Sequence, residues 1–343
     1  MNNTNINKRT ADIEVEAFRP IEKQVEEVLE KINQEKDHNL SSRINKRIRS
    51  VIVSLLRAIF VIGVAYIILQ PLFQKIATSF MAEIDLFDPT VEWIPRNFTL
   101  DNFRVVWEHM NYPKAFLNTF TLTITVSILQ LVSCTLVAYG IGRFHFKGAN
   151  IIFGLVLFTL VVPPQMIMTP LSLNFRYFNL FGLIPEQNLL GSYWPFVLTS
   201  STAVGLRNGL FIYILRQFFR GMPKDLEEAA YLDGAGIFKT FRTIMLPGAV
   251  PGLVVIFLFA FVWQWNDFFF NTIFLSGQGN FLLQALQGVA LRALNHDHNL
   301  LTTPYASLIQ NTGMLLYIAP LLILYAFLQK YFIESIQRTG IVG

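Results

Sequence analysis

From residue 51 onward, long apolar runs alternate with short polar connections, and the runs occupy 51–77, 115–142, 149–173, 189–219, 247–275 and 304–332. Each exceeds the roughly 20 residues that a helix of ~1.5 Å rise per residue needs to cross ~30 Å of hydrocarbon. The pattern predicts an all-α, polytopic membrane protein with six transmembrane helices. The connections differ in character on the two sides. Residues 81–113 are acidic and aromatic, with Glu83, Asp85, Asp88, Glu92, Asp101 and Glu108. Arg143, Lys147, Arg216, Arg220, Lys224, Lys239 and Arg242 fall in or next to the segments on the opposite side. That asymmetry places the N-terminus in the cytosol, and six crossings return the C-terminus, with Lys330 and Arg338, to the same side. The chain then divides into a cytosolic segment 1–50, a first helix 51–80, an extracytoplasmic segment 81–114 and a membrane core 115–343.

Composition agrees with lipid as the solvent. Hydrophobic residues make up 53% of the chain and charged residues 15%, where globular proteins carry roughly 25% charged. The 32 Phe exceed what a water-facing domain of this size can hide. Ten of the 27 Lys and Arg lie in the first fifty residues, ending with Lys46, Arg47 and Arg49 against the first apolar run. The opening segment is long, polar and of mixed charge, which fits no cleavable signal peptide; the expected location is the bacterial cytoplasmic membrane. Within 1–50, Pro20 precedes Ile21, Val25, Val28, Leu29 and Ile32 at helical spacing. This predicts a helix of about four turns lying on a membrane or a partner, with a solvated regulatory tail as the other reading. Cys134 is the one cysteine, so an internal disulfide and a thiolate metal cluster are both excluded.

One polar segment stands apart. Between the fourth and fifth runs the chain reads Gly221-Met222-Pro223-Lys224-Asp225-Leu226-Glu227-Glu228-Ala229-Ala230-Tyr231-Leu232-Asp233-Gly234-Ala235 and continues to Leu246-Pro247. Pro223 suits the start of a helix, and Asp225, Glu227 and Glu228 put negative charge at its positive end. Ala229 and Ala230 favour the helix, and Asp233-Gly234 stops it. A second short helix leads to Pro247 at the start of the fifth run, giving a rigid elbow at the membrane surface. Small residues permit close approach of another surface and carboxylates offer partners to basic groups on it. A docking helix needs both, and an interfacial re-entrant helix without a partner has the same amphipathic character.

The run Glu228-Ala229-Ala230-x-x-Asp233-Gly234-Ala235-x5-Phe241-x-x-Ile244-x-Leu246-Pro247 resembles the cytoplasmic coupling-loop signature of type I ABC importer permeases. The resemblance extends from about residue 115 to the C-terminus, through Ala138-Tyr139-Gly140 with Arg143, Pro163-Pro164-Gln165, Leu215 to Phe219, Trp265-Asn266-Asp267 and Gln329-Lys330-Tyr331-Phe332 with the terminal Gly340-Ile341-Val342-Gly343. These flanking patterns are similar to the carbohydrate branch, specifically the second maltose-type permease subunit. The resemblance implies a sister permease, two cytosolic ATPase subunits that hold ATP and Mg²⁺, an extracytoplasmic solute-binding protein and a sugar substrate. It assigns Glu228 and Asp233 to docking contacts, Ala229, Ala230, Gly234 and Ala235 to close packing, and Leu246 and Pro247 to the link into the fifth helix. Residues 278–303 become candidates for contact with the binding protein. No nucleotide loop of the G-x-x-x-x-G-K-[ST] kind precedes Lys239-Thr240, where Phe238 stands instead of glycine, so this chain is expected to hold no cofactor, to be no enzyme and to bind no nucleic acid.

Polar groups inside apolar runs mark function by default. Arg207 lies twelve residues before the end of the fourth run, ~18 Å along a helix, where it could face an anionic sugar or pair with the sister subunit. Trp263, Gln264, Asn266 and Asp267 combine aromatic and hydrogen-bonding groups of the kind sugars require. A continuous helix would instead carry Asp267 ~30 Å beyond Pro247 and into an interfacial belt. Pro163-Pro164 predicts a kink. His296-Asp297-His298 has no third ligand nearby and is not expected to bind metal. The other readings are a permease for a different solute such as a glycerol-phosphate ester, an integral-membrane enzyme, whose acid–base cluster is missing from the sequence, and a secondary transporter, whose inverted repeat is missing.

Overall fold

The computed structural model describes residues 47–205, 207–277, 279–297 and 303–340. The expected amphipathic helix near Ile21–Ile32, Gln278, His298 and the terminal Ile341-Val342-Gly343 lie outside them. The chain divides into two compact units, Met1–Leu72 and Phe73–Gly343. Described residues of the first unit belong to helix α1 (Arg47–Ser79), which from Val51 to Leu69 is exposed and, apart from Ser54 and Arg57, apolar or aromatic, as befits a lipid-facing helix.

The second unit is helical among the described residues. After α2 (Asp101–His109) comes α3 (Tyr112–Arg143), the axle on which α7, α11 and α6 pack. Then follow α4 (Ala149–Val161), α5 (Pro164–Arg176), α6 (Trp194–Ser201), α7 (Asn208–Gly221), α8 (Asp225–Leu232), α9 (Ile237–Thr240), α10 (Leu246–Gly248), α11 (Val250–Trp265), α12 (Phe269–Leu275), α13 (Leu282–Asp297) and α14 (Thr303–Gly340). A π-helical turn, Phe241–Met245, joins α9 to α10.

The six apolar runs are not six uninterrupted helices. Among the described residues, three helices are long and apolar enough to cross a membrane, α1, α3 and the Pro304–Lys330 part of α14, and the count rises to five if each bent pair is one span. The third run bends by 103° between α4 and α5. Its cause is the expected one: Pro163 forces Val162 into an extended conformation, ψ 117°, because a residue before proline avoids the α region. The elbow segment meets α11 at 75°. The fourth run, expected to be continuous, is divided at residues 202–207, where Ala203 and Arg207 both adopt left-handed φ, 59° and 64°. No proline marks that break, so composition alone reads straight through it.

α3 carries a stripe of buried polar residues, Thr119, Thr123, Ser127, Gln130 and Ser133, inside an otherwise apolar helix. Ser133 donates to the Ser200 carbonyl at 2.6 Å and Thr119 accepts the Leu282 N–H at 2.9 Å. Small and hydroxyl side chains let helices approach and bond in lipid, where apolar packing alone gives little selectivity. At the N-terminal end of α3, Met81, Val106, Ala115, Trp265, Leu282 and Leu308 form one apolar cluster; at its C-terminal end Cys134, Tyr139, Phe219 and Met245 form another. The polar segment 81–99 is closed by Asp85, 2% exposed, which accepts the Asn97 backbone N–H at 2.9 Å and its Nδ2 at 2.7 Å.

Candidate functional site

Two features carry chemistry, and the first is the elbow. α8 is built as its sequence predicts, with three acidic residues in its first turn. Its end is a Schellman motif: the Gly234 N–H donates to the Tyr231 carbonyl at 3.1 Å and the Ala235 N–H to the Ala230 carbonyl at 2.9 Å. Gly234 sits at φ +76°, a conformation that penalises any β-carbon. Ala230 is buried against the body of the protein, whereas Glu228, Ala229, Asp233 and Gly234 are exposed. Beside them Leu232 and Phe238 stand 89% and 73% exposed, an apolar surface that nothing in the described chain covers. Leu246 and Pro247 lie on the turn into α11, next to fully buried Met245.

Sequence reasoning treated Glu227 only as a helix-end charge and missed what anchors the elbow. Arg143, the last residue of α3, donates from Nε to Glu227 Oε2 at 2.7 Å and pairs with it through Nη2 at 2.6 Å. Its Nη1 also donates to the carbonyls of Phe219 and Met222, at 3.2 and 3.0 Å, capping the end of α7. Tyr139 donates to the same carboxylate at 3.2 Å, and its ring packs against Phe241 with centroids 4.8 Å apart. The two charged side chains are 5% and 12% exposed. One guanidinium thus ties α3, α7 and α8 into a single body. The signal available in sequence was the pairing of a basic helix end with a second acid next to Glu228.

The second feature is a cavity of about 560 Å³. Three helix interruptions open onto it: Val162 and Pro164 from the α4–α5 bend, Ala203, Gly205 and Arg207 from the α6–α7 break, and Asp267 from the α11–α12 break. Helices interrupted within a bilayer leave backbone groups that only a protein-lined or water-lined space can satisfy. The break before α7 stands 14 residues from its elbow end, hence ~21 Å along the axis. The Arg207 guanidinium lies over the Trp263 ring, 4.4 Å from its centroid, and makes no hydrogen bond or ion pair with another described residue. Asn208, 1% exposed, has neither amide atom satisfied. Asp267 accepts the Phe270 N–H at 3.3 Å, capping the start of α12.

Of the residues singled out from sequence, Arg207, Gln264 and Asp267 meet in this cavity. Trp263 and Asn266 stand outside its lining. Trp263 supports Arg207 from behind, stacked between Phe211 and Phe259, and Asn266 accepts a hydrogen bond from Tyr317 at 2.9 Å. Gln130 and Asn208 line the cavity and were missed; the polar stripe of α3 was the legible hint for Gln130. Among the described residues, no group of three or more His, Cys, Asp or Glu forms a metal site.

Comparison with known proteins bears on both features. An arabinooligosaccharides transport system permease protein of Halalkalibacterium halodurans is 29% identical, the match covering 87% of this chain and all of that protein. A probable ABC transporter permease protein of Bacillus subtilis is 28% identical, over 83% of this chain and 86% of its own. A crystal structure of a bacterial ABC transporter that imports the acidic polysaccharide alginate shares the fold, with a TM-score of 0.66 at 20% identity over 82% of this chain and 96% of the other. Residues 134–338, which hold the elbow and most of the cavity lining, match the family model described as binding-protein-dependent transport system inner membrane component, and the chain belongs to that family.

Proposed function

We propose that this chain is a permease subunit of an ATP-driven, binding-protein-dependent oligosaccharide importer in the bacterial cytoplasmic membrane, with the cavity as its substrate path and the elbow as its coupling device. The observation that carries the reading is the elbow's division into two faces. Its inner face is locked to α3 and α7 by Arg143 and Glu227; its outer face presents Glu228, Ala229, Asp233, Leu232 and Phe238 to whatever docks there. A force on the outer face is therefore delivered to the cytosolic ends of two helices that also wall the cavity.

In this reading the chain pairs with a sister permease, and each elbow seats in a groove of one of two ATPase subunits, which bind ATP and Mg²⁺. Closure of the ATPase pair draws the elbows together, and α3 and α7 move with them. The cavity then opens toward the solute-binding protein, with both chain termini remaining in the cytosol. The relatives are permeases and not enzymes, which leaves the integral-membrane enzyme reading without support.

The test is Ala229→Trp, a bulky side chain on the exposed face that leaves the buried anchor intact. We expect the ATPase to fail to co-purify with this variant and uptake to fall to background, while the variant still inserts in the membrane. Retained ATPase binding together with retained uptake would refute the docking role.

A further inference from the structure

We infer that Arg207 recognises a carboxylate of the transported saccharide, so that the substrate is an acidic, uronate-bearing oligosaccharide. The inference rests on the permease reading and names the substrate class of its cavity.

Backbone conformation supplies the first argument. At φ 64° Arg207 occupies the left-handed region, which costs a residue with a β-carbon ~1–2 kcal/mol that glycine avoids. A strained arginine at that position is held for its side chain, because the turn itself would be better made by glycine.

The second argument is charge. The cavity lining holds two charged side chains, Arg207 and Asp267. Guanidinium stays protonated under all ordinary conditions and presents a planar fork of donors suited to two carboxylate oxygens. Asp267 is engaged at the start of α12, at 3.3 Å from the Phe270 N–H, and its carboxylate acts on Arg207 at a distance without forming a hydrogen bond or ion pair with it. Trp263 covers the guanidinium from behind. Its donors are therefore left to the contents of the cavity. A neutral sugar would offer them hydroxyl lone pairs only; a uronate offers a bidentate, charge-matched partner. Asn208, the next residue, also lines the cavity and is buried with both amide atoms unsatisfied.

The experiment uses the assembled complex in lipid nanodiscs with its binding protein. It compares a trimeric oligouronate with its carboxyl-reduced counterpart, in which each COO⁻ has become CH₂OH. The readout is the ratio of half-saturating concentrations for stimulated ATP hydrolysis. We expect wild type to favour the oligouronate. Arg207→Lys, which keeps the charge and loses the fork, and Arg207→Gly, which relieves the backbone, should each shrink that preference on the order of tenfold or more, as the loss of a charge-assisted hydrogen bond implies. An unaltered ratio, whether both sugars are unaffected or both weaken equally, overturns the inference, as does a wild-type preference for the reduced sugar or a response to neither. Co-purification of the ATPase with Arg207→Gly reads the permease assignment separately: its loss counts against that assignment, and its retention with an unaltered ratio counts against the acidic substrate alone.

Discussion

Two arginines show how environment assigns a role. Arg143 is almost wholly buried, and all three of its nitrogens are committed to Glu227 or to carbonyls at the end of α7. Removing one partner of such a pair leaves an uncompensated buried charge, at a cost of ~3–5 kcal/mol. Arg143→Ala and Glu227→Ala should therefore each lower the thermal stability of the purified complex and detach ATP hydrolysis from sugar uptake. The exchange of the two residues, Arg143→Glu with Glu227→Arg, restores the ion pair but not the donors to Phe219 and Met222, so coupling should recover only in part. Full recovery of sugar-stimulated ATP hydrolysis in the exchanged protein would show that capping of α7 is irrelevant. Arg207, by contrast, carries a permanent charge with no hydrogen bond or ion pair to another described residue, the state that its proposed role in substrate binding requires.

At the scale of elements, the breaks matter more than the helices. The bend between α4 and α5 was legible, because two consecutive prolines forbid the preceding residue an α conformation and remove two N–H donors. Replacing both by alanine returns ~3 kcal/mol of helix propensity per position and should drive the pair toward one straight helix. Spin labels at Leu155 and Leu173, both exposed, would then separate toward the ~27 Å of a continuous helix. An unchanged distance in Pro163→Ala/Pro164→Ala would mean that tertiary packing, and not proline, sets the bend. The interruption before α7 was not legible. Ala203 and Arg207 have no intrinsic preference for left-handed backbone, and only the surrounding helices hold them there. The same holds for the end of α11, which stops at Trp265 although the apolar pattern continues to residue 275.

For the whole molecule, the cavity sits where all three interruptions converge, close to the apolar cluster around Cys134. That cysteine is fully buried at the α3–α7 contact. It should resist maleimide in the native complex and label on the order of 10³-fold faster once the cluster opens, as expected if access requires an opening of ~4 kcal/mol. Monitoring labelling during denaturant titration reports the integrity of this contact; rapid labelling of the native protein would show that the α3–α7 seam is loose. At the opposite end, the closed segment 81–99 adds a solvent-exposed ion pair, Asp88 with Arg96, whose neighbouring donors hold the Asp88 carboxyl below its usual range. Its small contribution is present at neutral pH and disappears as acid protonates Asp88.

Sequence by itself determined that lipid is the solvent, where the apolar runs lie, that the elbow is a helix stopped by Asp233-Gly234, and which family the elbow resembles. These are local properties: hydropathy over twenty residues, helix propensity, a glycine at a left-handed position, a proline pair. The tertiary structure alone decided that Arg207, Gln264 and Asp267 share one cavity while Trp263 and Asn266 do not, and that Glu227 faces inward to Arg143 while Glu228 faces out. The physical reason is that each depends on where a helix breaks or turns against its neighbours, and in lipid the free energy of that choice resides in contacts between residues tens of positions apart.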